Sequence, residues 1–408
     1  MIFAACLYFP SYASGQNERP TPYSIAEKIT LDSKILKEVR ELFVYVPKGF
    51  WGMDEDLQSY PLTIVLDGES QFLNTVSAID FLSATAQGND KVPRSIVIGI
   101  PNTSRNRDLT PKKGMIGKDS TSLSITGGGK AFLDFITSEL IPFVDEKYPT
   151  CNHRTLIGHS LGGLIVFEAL LNYNSYFSNY LAIDPGFGFD NGSYLRFVMD
   201  SLKHMQIKEE KLFVAKATTL PTFLDEQSIK NDEAAIVQIT RNNQKFLDFV
   251  QSENLYTNIE VRDFVDEDHF SVPYNATVEG LKSFFDYYPF QEMLDYCHPS
   301  YREQSDLVEK LKDHYRIISQ NLGCAAKPLQ SYIHAWAYGM QNFDRTDLAL
   351  DLFDYNIELY PDQATVYESK GMFLLKIERK ETAIEMLEKA LSLKENSRIR
   401  SVLEDLKN

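Results

Sequence analysis

One serine in this sequence is framed by glycines in the spacing of a catalytic nucleophile. Residues 158–163 read Gly-His-Ser-Leu-Gly-Gly and fit the pattern Gly-x-Ser-x-Gly, with Ser160 at its centre. In that pattern the serine lies on a sharp turn between a strand and a helix, where bulky neighbours would clash with the helix. Residues 154–157 predict the end of a buried strand, and the apolar run 164–171 predicts a helix. The segment therefore predicts a nucleophilic serine at a strand–helix turn.

A serine hydroxyl is a weak nucleophile at neutral pH, so it needs a base within hydrogen-bonding reach. Among the seven histidines, His269 is the best candidate because it follows the strand-like segment 259–265, in the acidic stretch 266–273. A loop at the carboxyl end of a strand can bring such a base over the serine. The other histidines flank the nucleophile or lie in helix-like segments (His153, His159, His204, His298, His314 and His334).

The acid that would orient this base is less well defined. In a chain ordered serine, acid, histidine, it is expected shortly after the strand-like segment 211–216, and Asp225 is the candidate. Several alternatives stay open: a carboxylate close to Asp225, a carboxylate beside His269, or a serine–histidine dyad held by a backbone carbonyl. The carboxylates concerned are Glu226, Asp232, Glu233, Asp266 and Asp268.

An oxyanion hole needs two backbone N–H groups aimed at the developing negative charge. One is expected from Leu161, directly after the nucleophile. The other is expected from Gly68 or Glu69, in the loop after the strand-like segment 62–67.

Strand-like and helix-like segments alternate from about residue 24 to residue 290. Near-continuous apolar strands separated by helices indicate a mostly parallel sheet covered on both faces. Together with the strand–helix turn, this pattern predicts an α/β-hydrolase domain over residues 24–290. The predicted strands are 41–47, 62–68, 95–100, 180–184 and 211–215, and the longer predicted helices are 72–86 and 130–148.

Strand signals disappear after about residue 300, and the pattern becomes helical. Ala349 and Ala383 are 34 residues apart, which is the tetratricopeptide period, and the small side chains allow paired helices to approach closely. We therefore expect a small all-α, tetratricopeptide-like region over residues 300–408. It is expected to be a structural appendix, a self-association surface or a site for a protein partner.

Composition narrows the functional class. The formal net charge of −16 argues against non-specific binding of nucleic acid, and no apolar run reaches the roughly 18 residues of a membrane helix. Residues 1–15 combine an apolar stretch with small residues and resemble the end of a secretory signal, so we expect export, or a cytoplasmic protein if the segment is not a signal. Cys297 and Cys324 are candidates for a disulfide in an oxidising compartment, and no cysteine–histidine spacing predicts a metal site.

Five stretches together resemble the putative esterase family that includes esterase D, S-formylglutathione hydrolase and the siderophore esterases. They are residues 65–72, 100–111, 158–163, 182–185 and 269–273. The resemblance covers roughly residues 24–290 and implies hydrolysis of carboxylic esters without a cofactor, with Ser160 as nucleophile and His269 as base. It leaves the acid open, because the acidic signature of the family is not recognisable at 215–220.

The sequence thus predicts a serine carboxylesterase acting on a small ester, such as a siderophore ester or an acylated sugar. Two alternatives remain: an acyltransferase with the same machinery, and a non-catalytic scaffold that bears repeats. Arg105, Arg107 and Asp108, in the family-like stretch 100–111, are expected to hold their loop together by ion pairs rather than to contact substrate.

Overall fold

Eight strands form one sheet in the part of the chain that the computed structural model describes, which is residues 24–47, 59–84, 89–117, 120–205, 210–255 and 258–407. The signal-like segment 1–15 lies outside these residues. The strands are β1 (Glu27–Ser33), β2 (Glu38–Tyr45), β3 (Tyr60–Leu66), β4 (Ile96–Ile100), β5 (Thr150–His159), β6 (Asn179–Ile183), β7 (Lys211–Ala217) and β8 (Ile259–Phe264).

The sheet has the order β1-β2-β4-β3-β5-β6-β7-β8. Strands β1 and β2, at one end of the sheet, pair antiparallel to each other, and β2 also pairs antiparallel to β4. Every other pair of neighbours is parallel. Strands β3, β4 and β6 are almost wholly buried, as expected for parallel strands that are covered on both faces. The predicted mostly parallel α/β architecture is confirmed.

Helices cover both faces of this sheet. On one face α1 packs against α9, and on the other α5 packs against β5 and β6 while α8 packs against β7. The helices of this region are α1 (Gly68–Leu82), α2 (Arg105–Asp108), α3 (Gly129–Phe135), α4 (Ile141–Lys147), α5 (Leu161–Asn172), α6 (Ser193–His204), α7 (Glu226–Asn231), α8 (Ala235–Ser252) and α9 (Val272–Phe284). A π-helical turn, Ile136–Leu140, joins α3 to α4, so the helix predicted at 130–148 is one helical stretch with a π segment inside it.

The C-terminal part of the chain is helical, as expected. Its helices are α10 (Leu307–Leu322), α11 (Gln330–Gln341), α12 (Thr346–Leu359), α13 (Ala364–Lys376), α14 (Lys380–Leu393) and α15 (Ser397–Lys407). Helix α11 pairs with α12, and α13 pairs with α14. A Cβ atom at Gly371 would lie 2.7 Å from Leu387 Cδ2, so the small residue at 371 permits the close approach of α13 and α14. No helix of the described residues is long and apolar enough to cross a membrane.

The C-terminal helices pack on the same face of the sheet as α1 and α9. Apolar side chains from α10 to α13 join the core cluster that α1 and α9 build there. The buried Arg345, just before α12, donates to the carbonyl oxygens of Tyr296, Tyr301 and Gln304. Because unpaired buried donors are costly, these bonds fix the connection between the two parts of the chain.

Candidate active site

Ser160 occupies the sharp turn that the sequence predicts, between β5 and α5. Its backbone has φ 59° and ψ −117°, a strained conformation for a residue with a side chain. A Cβ at Gly158 would lie 2.3 Å from the carbonyl oxygen of Gly162, and one at Gly163 would lie 2.9 Å from Pro185 Cα. The glycines are therefore required by close backbone approach. Their small size lets β5 turn into α5 with the serine hydroxyl at the carboxyl edge of the sheet.

His269 is the side chain that faces this serine. It lies in the loop between β8 and α9, and its Nε2 is 3.1 Å from Ser160 Oγ. Backbone hydrogen bonds hold the loop in place. The backbone N–H of His269 donates to Thr219 Oγ1 at 2.7 Å, and Asp268 Oδ1 accepts the backbone N–H groups of Phe270 and Ser271. The structure thus brings the predicted nucleophile and the predicted base into hydrogen-bonding distance.

Asp184 is the carboxylate that contacts His269. Its Oδ2 lies 2.6 Å from His269 Nδ1, and the carboxylate is almost fully buried. Its second oxygen accepts the Ala217 N–H at 3.1 Å and the side-chain amide of Asn243 at 2.8 Å. Because a buried carboxylate is costly unless it is hydrogen-bonded, these donors stabilise its charged form and fix its direction.

Asp225, the predicted acid, makes its side-chain contact away from His269, and Asp184 takes the contact with His269 instead. Asp225 lies at the start of α7, is exposed, and accepts the Ser228 N–H at 2.7 Å as a helix cap. This hydrogen bond holds the pKa of Asp225 below its usual value. Two alternative carboxylates are also engaged locally, since Asp232 accepts the Ala234 N–H and Asp268 closes its own turn. The carboxylate on His269 comes from the end of β6, one strand earlier than the sequence argument placed it.

A signal for Asp184 was present in the sequence. It directly follows the apolar strand β6 and precedes Pro185 and Gly186. Since β6 neighbours β5 in the sheet, an aspartate at its carboxyl end lies beside the nucleophile turn. Asp184 has φ 36°, and the Gly186 N–H donates to the Ser160 carbonyl oxygen at 2.8 Å, so this turn packs directly on the one that carries the serine.

His159, the variable residue of the nucleophile pattern, contacts the base. Its Nε2 lies 2.7 Å from the backbone carbonyl oxygen of His269, and the centroids of the two rings are 4.5 Å apart. Burial, together with the neighbouring His269, lowers the pKa of His159 to about 4. His159 is therefore a neutral hydrogen-bond donor at physiological pH, and it ties the histidine loop to the nucleophile turn.

The residues expected to form the oxyanion hole begin two neighbouring helices. Leu161 opens α5, and Gly68 and Glu69 open α1, directly after the paired parallel strands β5 and β3. A Cβ at Gly68 would lie 2.7 Å from the Ile100 backbone nitrogen, so only glycine fits there. Neither helix has a side-chain N-cap. Two helix N-termini side by side favour negative charge between them.

Asp67 anchors the second of these turns. It has φ 52°, and its carboxylate accepts two hydrogen bonds from Arg105, at 2.6 and 3.0 Å, and one from Asn102, at 2.6 Å. Glu69 in turn accepts the backbone and side-chain N–H groups of Asn102. The residues around Gly68 are thus held by a charged network at the edge of the site.

Arg107 and Asp108 take part in ion pairs away from the serine. Arg107 pairs with Glu38 and with Asp108, and Asp108 also pairs with the buried Arg40. These partners raise the pKa of Arg107. Among the described residues, no group of three or more histidine, cysteine, aspartate or glutamate side chains is arranged to hold a metal ion.

Comparison with known proteins gives three informative similarities. Residues 33–186 match the family model described as putative esterase. The chain is 29% identical over 180 residues to the uncharacterized protein YjcH of Bacillus subtilis, a match that covers 43% of this chain and 67% of that protein. It is also 29% identical over 138 residues to the ferri-bacillibactin esterase BesA of the same organism, covering 31% of this chain and 47% of BesA.

A solved structure extends the similarity to most of the chain. The crystal structure of an IroE-like serine hydrolase from Shewanella oneidensis aligns with a TM-score of 0.65 at 28% identity, covering 82% of this chain and 99% of that protein. The likeness supports the α/β-hydrolase fold over the region that holds Ser160, Asp184 and His269. The family match, the relatives and this neighbour together support the esterase family and a carboxylic ester hydrolase.

Proposed function

We propose that this protein is a serine esterase in which Ser160, His269 and Asp184 form the catalytic triad. The observation that carries the proposal is the continuous chain of contacts from Asp184 Oδ2 to His269 Nδ1 (2.6 Å) and from His269 Nε2 to Ser160 Oγ (3.1 Å) at the nucleophile turn. Buried Asp184 holds the imidazole in the tautomer whose Nε2 accepts the serine proton.

The reaction follows from this arrangement. Ser160 Oγ attacks the ester carbonyl while His269 takes its proton, and Asp184 stabilises the imidazolium that forms. The N–H groups of Leu161 and of Gly68 or Glu69 stabilise the oxyanion of the tetrahedral intermediate. The imidazolium then gives its proton to the leaving alcohol, and an acyl-enzyme remains. Water activated by His269 releases the acid.

We propose a small ester as the substrate, with siderophore esters first among the candidates. The support comes from relatives: BesA is a ferri-bacillibactin esterase, and the structural neighbour is described as IroE-like. Hydrolysis is favoured over transfer to an alcohol, because the named relatives are a hydrolase and an esterase. Acylated sugars are the second class to be compared.

Ser160→Ala is the direct test of the mechanism. We expect it to fold normally, as judged by circular dichroism, and to lose hydrolysis of p-nitrophenyl acetate and labelling by a fluorophosphonate probe. Full activity in this variant would exclude the mechanism. Initial rates on a siderophore trilactone, its ferric complex and acetylated or feruloylated sugars then identify the substrate class, and product analysis with an added alcohol separates hydrolysis from transfer.

We further propose that the chain divides into an esterase domain, residues 24–290, and a tetratricopeptide-like region, residues 300–408. The start positions of the helices support the second part: α11 and α13 begin at 330 and 364, and α12 and α14 begin at 346 and 380. Both offsets equal the 34-residue period. Export remains a proposal based on residues 1–15, and N-terminal sequencing of the mature protein from a fractionated cell tests it.

A further inference from the structure

Two cysteines from distant parts of the chain lie close together near the start of β5, at the other end of this strand from Ser160. Cys151 is buried near the start of β5, and its Sγ lies 3.8 Å from the Leu322 carbonyl oxygen at the end of α10. Cys324 follows Leu322 by two residues, in the turn that leaves α10. The two thiols lie close enough to interact electrostatically.

Cys297, the candidate partner for Cys324, contacts a residue of its own helical turn. Its Sγ approaches the Met293 carbonyl oxygen at 3.7 Å, within its own helical turn. The structure brings Cys151, rather than Cys297, close to Cys324.

We propose that Cys151 and Cys324 are a disulfide-forming pair that links β5 to the turn between α10 and α11, with a small-molecule or protein disulfide as the oxidant. The link would join residues more than 170 positions apart in the chain. It would fasten the C-terminal helices to the strand that ends at the nucleophile turn. This inference does not depend on the proposed esterase activity.

The incoming disulfide accepts the two electrons that the two protein thiols lose. The half-buried Cys324 attacks one sulfur of the incoming disulfide as its thiolate, forms a mixed disulfide, and releases the first thiol. Cys151 then attacks the Cys324 sulfur and releases the second thiol. Two protein thiols thus lose two electrons and two protons, and one disulfide is reduced to two thiols.

The surroundings give the pair room to react. Gly323 ends α10 with φ 64°, and a Cβ placed there would meet no atom within 4 Å, so the turn that carries Cys324 has space to adjust. A cavity of about 290 Å³ lies beside the pair. Asn152 and Asn321, which line it, are close to Cys151 and Cys324 in the sequence. Tyr287 also lines it and interacts electrostatically with both cysteines.

Peptide mapping of the full-length protein tests the proposal. The purified chain is equilibrated with hydroxyethyl disulfide, free thiols are blocked with N-ethylmaleimide, and tryptic peptides are analysed without reduction. We expect one cross-linked species that joins the peptides containing Cys151 and Cys324, with the loss of two blockable thiols. We also expect oxidation to raise the melting temperature by roughly 5 °C, and dithiothreitol to reverse the rise.

Cys297→Ser is the matched control and should keep the cross-link and the melting shift, whereas Cys324→Ser should lose both. Peptide mapping of the chain without substitutions tests the Cys151–Cys324 link by itself, so the test does not depend on whether a Cys151→Ser variant folds. A Cys297–Cys324 cross-link overturns the proposal. A stable hydroxyethyl adduct on Cys324, with Cys151 still blockable on unfolding, overturns it as well.

Discussion

At the scale of single residues, Ser160, His269 and Asp184 form a short chain of polar contacts, and the residues that hold Asp184 fix the geometry of that chain. Asp184 meets His269 through one oxygen and is held by Ala217 and Asn243 through the other. A carboxylate fixed in this way selects one imidazole tautomer, which is a requirement for the base. Replacing Asp184 by a neutral residue of the same shape should therefore keep the geometry of the site and remove the charge that supports His269.

Asp184→Asn tests this assignment. An amide of the same shape no longer stabilises the imidazolium and favours the wrong tautomer of His269, so we expect kcat/KM on p-nitrophenyl acetate to fall by roughly 10³–10⁴-fold. Asp225→Asn is the matched control, because Asp225 only caps α7, and it should stay within about twofold of the original protein. The reverse ranking of the two variants would reinstate Asp225 as the acid.

His159 should act as a positioning residue. A substitution at position 159 by a residue without a donor removes the hydrogen bond to the His269 carbonyl oxygen, and a bond of this kind contributes about 1 kcal/mol. We expect His159→Leu to lower kcat by about fivefold with little change in KM. His159→Gln, which retains a donor, should recover part of the loss. Equal kcat values for the two variants, at unchanged melting temperature, would contradict the role given to this hydrogen bond.

At the scale of elements, the oxyanion site depends on how α1 and α5 begin. The Asp67 carboxylate lies at the start of α1, where a negative charge would oppose the oxyanion unless it is neutralised. Arg105 supplies that neutralisation by a bidentate contact, and it is partly exposed at the edge of the site. The arginine thus acts on the reaction through Asp67.

Arg105→Ala should lower kcat by roughly 10–100-fold, because Asp67 is then an uncompensated charge and the Gly68 turn loses its anchor. The comparison is Arg107→Ala on the same short helix, where the lost partners are Glu38 and Asp108. That variant should lower the melting temperature and leave kcat within about threefold. Steady-state kinetics and thermal melts of both variants check the prediction, and similar kcat values for the pair would refute it.

The elements were predictable where burial imposes a pattern on the sequence. Strands β3, β4 and β6 are mostly apolar because both of their faces are covered, and Ser160 was found because only glycines fit around its turn. Asp184 was missed because the choice rested on chain order alone. Which strand end lies beside His269 depends on the adjacency of β5, β6 and β7 in the sheet, a tertiary property that local pattern does not encode.

At the scale of the whole molecule, the C-terminal helices and the sheet meet around a buried histidine. His153 in β5 lies beside Asn321 of α10, and its Nε2 lies 3.0 Å from the side-chain amide of Asn179. Burial, together with the charge of Lys211, lowers the pKa of His153 to about 4. The docking of the two parts therefore requires a neutral imidazole.

This requirement makes the stability of the docked molecule depend on pH. Because the folded pKa is about 4 and the unfolded value is about 6.5, the unfolded chain binds more protons between these values, so stability is complete above pH 6.5 and falls as the pH drops toward 4. His153→Gln removes this titration. We expect its free energy of unfolding to change by about 2 kcal/mol less than that of the original protein between pH 7 and pH 4.5. Urea unfolding at the two pH values measures the difference. His204→Gln, at the exposed end of α6, should keep the original pH dependence, and an unchanged dependence in His153→Gln would show that the buried imidazole does not link protonation to folding.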